Sequence, residues 1–136
     1  MAEKGSNYVL AGAILQLLGM LASFTIFALL YVLHLNYYWT GWFDPGSPDY
    51  HPDIMAFWFI TGVPIMIITA AQGVWSLITM LLWFRWFRHP GEHKIGIIVT
   101  GVISLILGLF PFIIGFLPGI IGLIGGLVSK RSEAGA

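Results

Sequence analysis

The sequence contains no cysteine and few charged residues. Asp, Glu, Lys and Arg make up only 9% of its 136 residues, whereas roughly 25% is usual in soluble domains. The absence of cysteine excludes disulfides, thiolate metal sites and cysteine nucleophiles. Six basic and six acidic side chains are too few to cover the surface of an isolated soluble domain. Because the net charge is zero and no segment is strongly basic, nucleic acid is not expected as a partner.

Apolar residues dominate what is present. They form 58% of the chain, and the mean hydropathy is +0.89. Charged residues are missing from three runs, at 5–43, 54–84 and 95–129. Each run exceeds the about 20 helical residues that cross a bilayer core of about 30 Å. The sequence therefore predicts an all-α integral membrane protein of the cell membrane, with residues 1–136 forming a single domain.

The three runs predict four transmembrane helices in two antiparallel hairpins. The third run would be about 52 Å long as one helix, so it is divided into a short third and a short fourth helix. We place the turn at 108–112; a break at 116–119 is the alternative, but it leaves too few residues for a last crossing. Pro64 is expected to kink the second helix. The predicted helices lie at about 8–35, 54–84, 94–109 and 112–129, with an outer aromatic and acidic loop at 36–53 and a basic loop at 85–93.

The positions of the basic residues predict the orientation. Four crossings place all six Lys and Arg residues on one side and the acids of the 36–53 loop on the other. Because cytoplasmic loops carry an excess of Lys and Arg, both termini are expected in the cytoplasm. Three crossings would leave Lys130 and Arg131 outside.

The last predicted helix has a regular spacing of glycines. Four of them are separated by 4, 3 and 4 positions, which places them on one helix face: Gly115, Gly119, Gly122 and Gly126. Small residues let helix backbones approach closely in lipid. The face predicts helix packing, either within one chain or in a homo-oligomer or partner seam. Gly125 lies off this face and is expected to tolerate leucine better.

Two amides lie inside the predicted membrane helices. Gln16 and Gln72 are expected to pack the first two helices together by bonding to each other. The alternative is that they mark a polar stripe in a solute path.

The basic loop alternates aromatic residues with cations. Such residues lie at headgroup depth and attract anionic lipid. The sequence predicts a lipid interface, or a docking surface for a partner, formed by Trp83, Arg85, Trp86, Arg88 and Lys94.

The outer loop combines aromatic residues with potential metal ligands. His and Asp bind zinc and other divalent metals, but the spacing here matches no metal motif. We expect an aromatic belt, with no cofactor and no metal. The residues of the weaker metal hypothesis are His34, Asp44, Asp49, His51 and Asp53.

The predicted membrane interior contains no Asp, Glu, Lys or Arg. Proton-coupled transporters normally need such a residue. The chain resembles the small multidrug transporters in size and number of crossings but lacks the membrane-embedded glutamate of their first helix, so their function is not carried over. The sequence predicts a non-enzymatic accessory, assembly or scaffold subunit that acts by helix packing. The alternatives are a small-solute channel or transporter that works as an oligomer, and a membrane metalloenzyme that uses the outer loop.

Overall fold

The described residues form four helices. The computed structural model describes residues 3–108 and 116–129, and no β-strand occurs among them. Two of the helices are long and apolar enough to cross a membrane, and the other two are shorter and also apolar. In chain order the helices are α1 (Ser6–Trp39), α2 (Pro52–Trp86), α3 (Lys94–Gly108) and α4 (Phe116–Val128).

The first helix extends four residues beyond its predicted end. Residues 36–39, assigned from the sequence to the aromatic loop, form the last turn of α1. Nothing interrupts the helix until Thr40 and Gly41, and Gly41 adopts a φ of 80°, which glycine tolerates without steric cost. The loop between α1 and α2 therefore spans only residues 40–51.

The second helix contains one π-helical turn, at Trp58–Gly62. The N–H of Val63 donates to the carbonyl of Trp58, five residues earlier. Pro64 follows directly, lacks an N–H and crowds the carbonyl four residues before it. The widened turn accommodates the proline, so the disturbance expected at Pro64 takes the form of a π-helical turn.

The two long helices pack as an antiparallel pair. Trp83 near the end of α2 lies against Gly12 near the start of α1, and Gly73 lies against Phe24. In this register, a residue of α1 and a residue of α2 lie at the same height along the helix pair when their residue numbers add up to about 96.

The two short helices form a second antiparallel pair, in which Gly101 of α3 lies against Leu123 of α4. Both α1 and α3 pack closely against α4, whereas α2 and α3 pack more loosely. The described part of α3 ends at the level of Gln72, whose Nε2 donates to the carbonyl of Leu107 at 2.6 Å. Because Gln72 lies 14 residues before Trp86, α3 flanks only about 21 Å of α2.

The alternative break at 116–119 is not found. These residues, Pro118 included, are helical and belong to α4. Residues 109–115, which include most of the predicted turn and Gly115, lie outside the described residues.

The ends of the bundle differ in charge. The described Lys and Arg residues lie together at one end, which we call the basic end: Lys4, Arg85, Arg88 and Lys94. The opposite end carries Asp44, Asp49 and Asp53, and we call it the acidic end.

Candidate functional site

The indole of Trp83 lies in a slot between the other three helices and has no exposed surface. It lies against the backbones of Gly12 in α1 and Gly122 in α4, and its N–H donates to the hydroxyl of Thr100 in α3 at 2.8 Å. A side-chain carbon at Gly12 would lie 2.7 Å from the ring, and one at Gly122 would overlap it. Glycine at both positions leaves room for the indole.

The prediction that Trp83 belongs to a lipid or partner interface is therefore wrong. Trp83 continues a buried face of α2 that also contains Gln72, Ser76 and Thr79. The spacing of these four residues, 4, 3 and 4, is that of a single helix face. This pattern was visible in the sequence and outweighs the tendency of tryptophan to lie at membrane interfaces.

The glycine face of α4 contacts other helices of the same chain. A side-chain carbon at Gly119 would lie 2.8 Å from the backbone nitrogen of Leu105, and one at Gly126 would lie 2.9 Å from Ile98. Gly122 faces Trp83, and Gly115 lies outside the described residues. The three described glycines thus pack against other helices of the same chain.

Gly125 is buried as well, although it lies off that face. A side-chain carbon there would lie 2.8 Å from Cγ2 of Val9, and the carbonyl of Gly125 contacts Gly5. The premise that Gly125 points away from other helices is wrong, because α4 packs against α1 on one side and α3 on the other.

The amides of Gln16 and Gln72 both bond to α3, and the pair predicted between them is not formed. Gln16 Nε2 donates to the hydroxyl of Ser104 at 3.0 Å, and Gln72 donates to Leu107. The contact of Gly73 with Phe24 places Gln72 about eight residues above Gln16 along α1. That separation is about 12 Å, too far for a direct bond.

Ser104 joins two helices through one hydroxyl. Its oxygen accepts from Gln16 in α1 and also from the indole N–H of Trp75 in α2, at 2.9 Å. A cavity of about 10 Å³ lies beside it, lined in part by Gln72 and Ser76. That volume has room for about one water molecule.

Sequence reasoning missed these two tryptophan partners. A buried indole N–H needs an acceptor, and α3 offers two hydroxyls four residues apart, Thr100 and Ser104. Trp75 and Trp83 lie eight residues apart on α2, so each pair shares one helix face. The sequence signal for these hydrogen bonds would have been the match between the spacing of the two hydroxyls on α3 and that of the two tryptophans on α2.

At the basic end, two of the predicted interface residues are engaged inside the protein. Lys94 Nζ donates to the carbonyl of Ser129 at 2.9 Å, which places a cation at the carboxyl end of α4. Trp86 is half-buried; it stacks on His93 at 5.1 Å and covers Gly96.

The other two, Arg85 and Arg88, are exposed. Within residues 3–108 and 116–129, neither forms an ion pair; the pair found there joins His89 to Glu3 at 3.5 Å. Arg88 lies 5.8 Å from the ring centre of Phe87. Among the predicted interface residues, these two present charge to the surroundings.

At the acidic end, aromatic side chains enclose His34. Its Nδ1 accepts the indole N–H of Trp58 at 2.7 Å, so that nitrogen carries no proton in this arrangement. The imidazole stacks on Trp58 and meets the edges or faces of further rings, those of Tyr38, Phe43 and Phe59. The cluster ties the π-helical turn of α2 to the end of α1.

The potential metal ligands of this end do not converge. Among the described residues, no three His, Asp or Glu side chains lie close enough to hold one metal ion. Asp44 Oδ1 instead accepts the backbone N–H of Gly46, and His51 packs against Trp42 at 4.6 Å. The positions of these residues give the metal hypothesis no support.

No protein-family model matches the chain, and no curated protein or solved structure shows significant similarity to it. Its function is therefore argued from its own residues.

Proposed function

We propose that the protein is a multi-pass membrane protein with both termini in the cytoplasm. The distance between its aromatic ends supports this proposal. Tyr8 and Tyr37 are separated by 29 residues of α1, or about 43 Å, which matches the about 40–45 Å of a bilayer with its headgroups. The four described cations at one end favour placing that end in the cytoplasm.

In this proposal α3 and α4 form a short hairpin that enters from the cytoplasmic side. Their 15 and 13 described residues give lengths of about 22 Å and 20 Å, less than the hydrocarbon core. Whether the hairpin crosses fully or turns inside the membrane, it returns to the side from which it entered.

Accessibility of introduced cysteines tests this topology, since the chain has none of its own. Cysteine at Gly46 should react with an impermeant reagent only from outside, and cysteine at Glu92, which is exposed, only from inside. Cysteine at Leu107 should react from neither side if the hairpin turns within the core. Reaction of Leu107→Cys from outside would support four full crossings, and reaction of Glu92→Cys from outside would refute the orientation.

The function we propose is that of a non-enzymatic accessory, assembly or scaffold subunit. One observation carries it: the part of the α1–α2 pair toward the acidic end has no other described helix against it. Large apolar side chains there are each at least 61% exposed: Leu29, Val32, Phe57, Ile60 and Ile67. Toward the basic end, the polar side chains and glycines are used in packing within the chain. A partner helix would therefore find its surface on the outer half of α1 and α2.

Purification in mild detergent followed by mass spectrometry tests the scaffold function. A membrane protein should co-purify with the wild type and be lost in an Ile60→Lys variant, while Ile95→Lys keeps it. Ile95 is the matched control, because it is 68% exposed compared with 73% for Ile60 but lies at the basic end. Equal recovery with both variants would refute the assignment of the surface.

A channel or transporter is the second candidate. Three buried side-chain oxygens in α1 and α2 have no hydrogen-bond partner among the described residues: Gln16 Oε1, Ser23 Oγ and Thr79 Oγ1. Such groups could bind water or a polar solute if the helices separate. Solute flux into liposomes that contain only the purified protein would favour this function over the scaffold.

A further inference from the structure

A groove runs along the side of the bundle where α2 and α3 pack loosely. Its volume is about 460 Å³. The lining is apolar and includes two alanines: Ala70, Ala71, Val74, Trp75, Ile78 and Leu107. The one polar atom among these side chains, the indole nitrogen of Trp75, already donates to Ser104. The groove thus offers apolar contact without hydrogen bonds.

Arg85 lies on the same face of α2 as this groove. It follows Ile78 by seven residues and Val74 by eleven, so its direction differs from either by about 20°. The side chain is exposed and forms no ion pair with any described residue, and Glu3, the carboxylate paired at this end, contacts His89 instead. An unneutralised guanidinium therefore stands at the basic end of an apolar groove.

We propose that the groove binds one acyl chain of an anionic phospholipid whose phosphate contacts Arg85. The distance along the helix supports this occupant. From Arg85 to Val74 it is about 16 Å, close to half of the about 30 Å hydrocarbon core, which is the depth that one leaflet's chains reach. Guanidinium groups also bind phosphate oxygens in a bidentate geometry that suits a headgroup.

The proposal rests on the membrane insertion proposed above, so its test includes a position that reports insertion alone. For the test, a single cysteine is introduced at Ile78 in one variant and at Leu18 in another, and a small fluorophore is attached to it. The antiparallel register places Leu18 at the level of Ile78, and the two residues are similarly exposed, at 54% and 46%. Ile78 lies at the cytoplasmic end of the groove, so a label there leaves the deeper part open.

The labelled proteins are reconstituted in phosphatidylcholine vesicles that contain a minor fraction of brominated phosphatidylglycerol or of brominated phosphatidylcholine. Quenching reports contact with the brominated chain. At Ile78 we expect phosphatidylglycerol to be enriched about fivefold over phosphatidylcholine, because one interfacial arginine provides a preference of that size for an anionic lipid. At Leu18 we expect equal quenching by the two lipids. Absence of quenching at Leu18 by either lipid would overturn the membrane insertion itself.

Variants separate the two parts of the site. Arg85→Gln should abolish the preference at Ile78, while Arg88→Gln, which changes the neighbouring exposed cation, should retain most of it. Ala71→Leu narrows the groove at an exposed position and should reduce the preference to the level seen at Leu18.

The following results would overturn the proposal while leaving insertion intact. They are equal quenching by the two lipids at Ile78, a preference that survives Arg85→Gln, and a preference that survives Ala71→Leu. Quenching at Leu18 with none at Ile78 would show that protein, and not lipid, fills the groove.

Discussion

A single methyl group at Gly122 should destabilise the bundle. In the Gly122→Ala variant the new carbon overlaps the six-membered ring of Trp83. The ring cannot simply retreat, because it is fully buried and the hydrogen bond to Thr100 holds its N–H. Overpacking of this kind costs about 1–3 kcal/mol. We expect the free energy of unfolding to fall by that amount.

The measurement is reversible denaturation in detergent, followed by far-UV circular dichroism so that changes at Trp83 do not affect the signal. Trp83→Phe removes the ring atoms that Gly122 contacts, and the double variant completes a thermodynamic cycle. In the Trp83→Phe background, Gly122→Ala should cost much less, which gives a coupling energy of about 1–3 kcal/mol. Gly46→Ala is the control, because a side-chain carbon there meets only Asp44 Oδ1, at 3.4 Å. Its effect should stay within about 0.5 kcal/mol.

Two results would refute this reasoning. Equal destabilisation by Gly122→Ala with and without Trp83 would mean that the slot does not exist. Loss of an oligomer on size-exclusion chromatography, with a monomer as stable as before, would place the glycine face between chains and not within one.

Further substitutions test other contacts by the same denaturation assay. Gly125→Leu should destabilise the protein at least as much as Gly122→Ala, because it forces α4 away from α1; tolerance of leucine would instead support the expectation from the sequence. Ser104→Ala removes the acceptor of two donors, from buried Gln16 and half-buried Trp75, and should cost about 1–3 kcal/mol, whereas an unchanged stability would mean that water replaces the hydroxyl. His34→Phe keeps the ring contacts at the acidic end but leaves a buried indole N–H unpaired, so it should cost about 1–3 kcal/mol and raise hydrogen exchange in the π-helical turn; unchanged exchange there would contradict the link.

Some features of this chain follow from composition and spacing. The charge-free runs predicted an all-helical protein with four transmembrane helices, because an apolar helix satisfies its own backbone in lipid. The described residues are all-helical apart from loops and contain two helices long enough to span a membrane. The same runs placed the start of α3 and the end of α4 to within one residue. Conformational preferences of nearby residues act over one or two helical turns. They explain why helices start or end near Pro52, Gly41 and Lys94.

Other features depend on which helices become neighbours. The glycine spacing predicted a close approach, but only the arrangement of α4 between α1 and α3 decides that Gly125 is packed as tightly as Gly122. The partners of Gln16 and Gln72 depend on the register of α1 against α2, which the sequence does not encode locally. The register places the two amides about 12 Å apart and brings α3 within reach of both.

Trp83 separates the two kinds of information most clearly. Its residue type and its place beside two arginines predicted a membrane interface. That prediction rests on a tendency averaged over many membrane helices and not on the neighbours of this tryptophan. Its actual position depends on Gly12 and Gly122, which lie 71 and 39 residues away in the sequence and create a slot only when three helices meet. Hydropathy and charge act residue by residue, so the order of residues along the chain suffices to specify apolar helices with cations near their ends. Burial depends on which two surfaces come together, so only the packing of the helices specifies which side chains are buried and which, like Arg85, are left exposed.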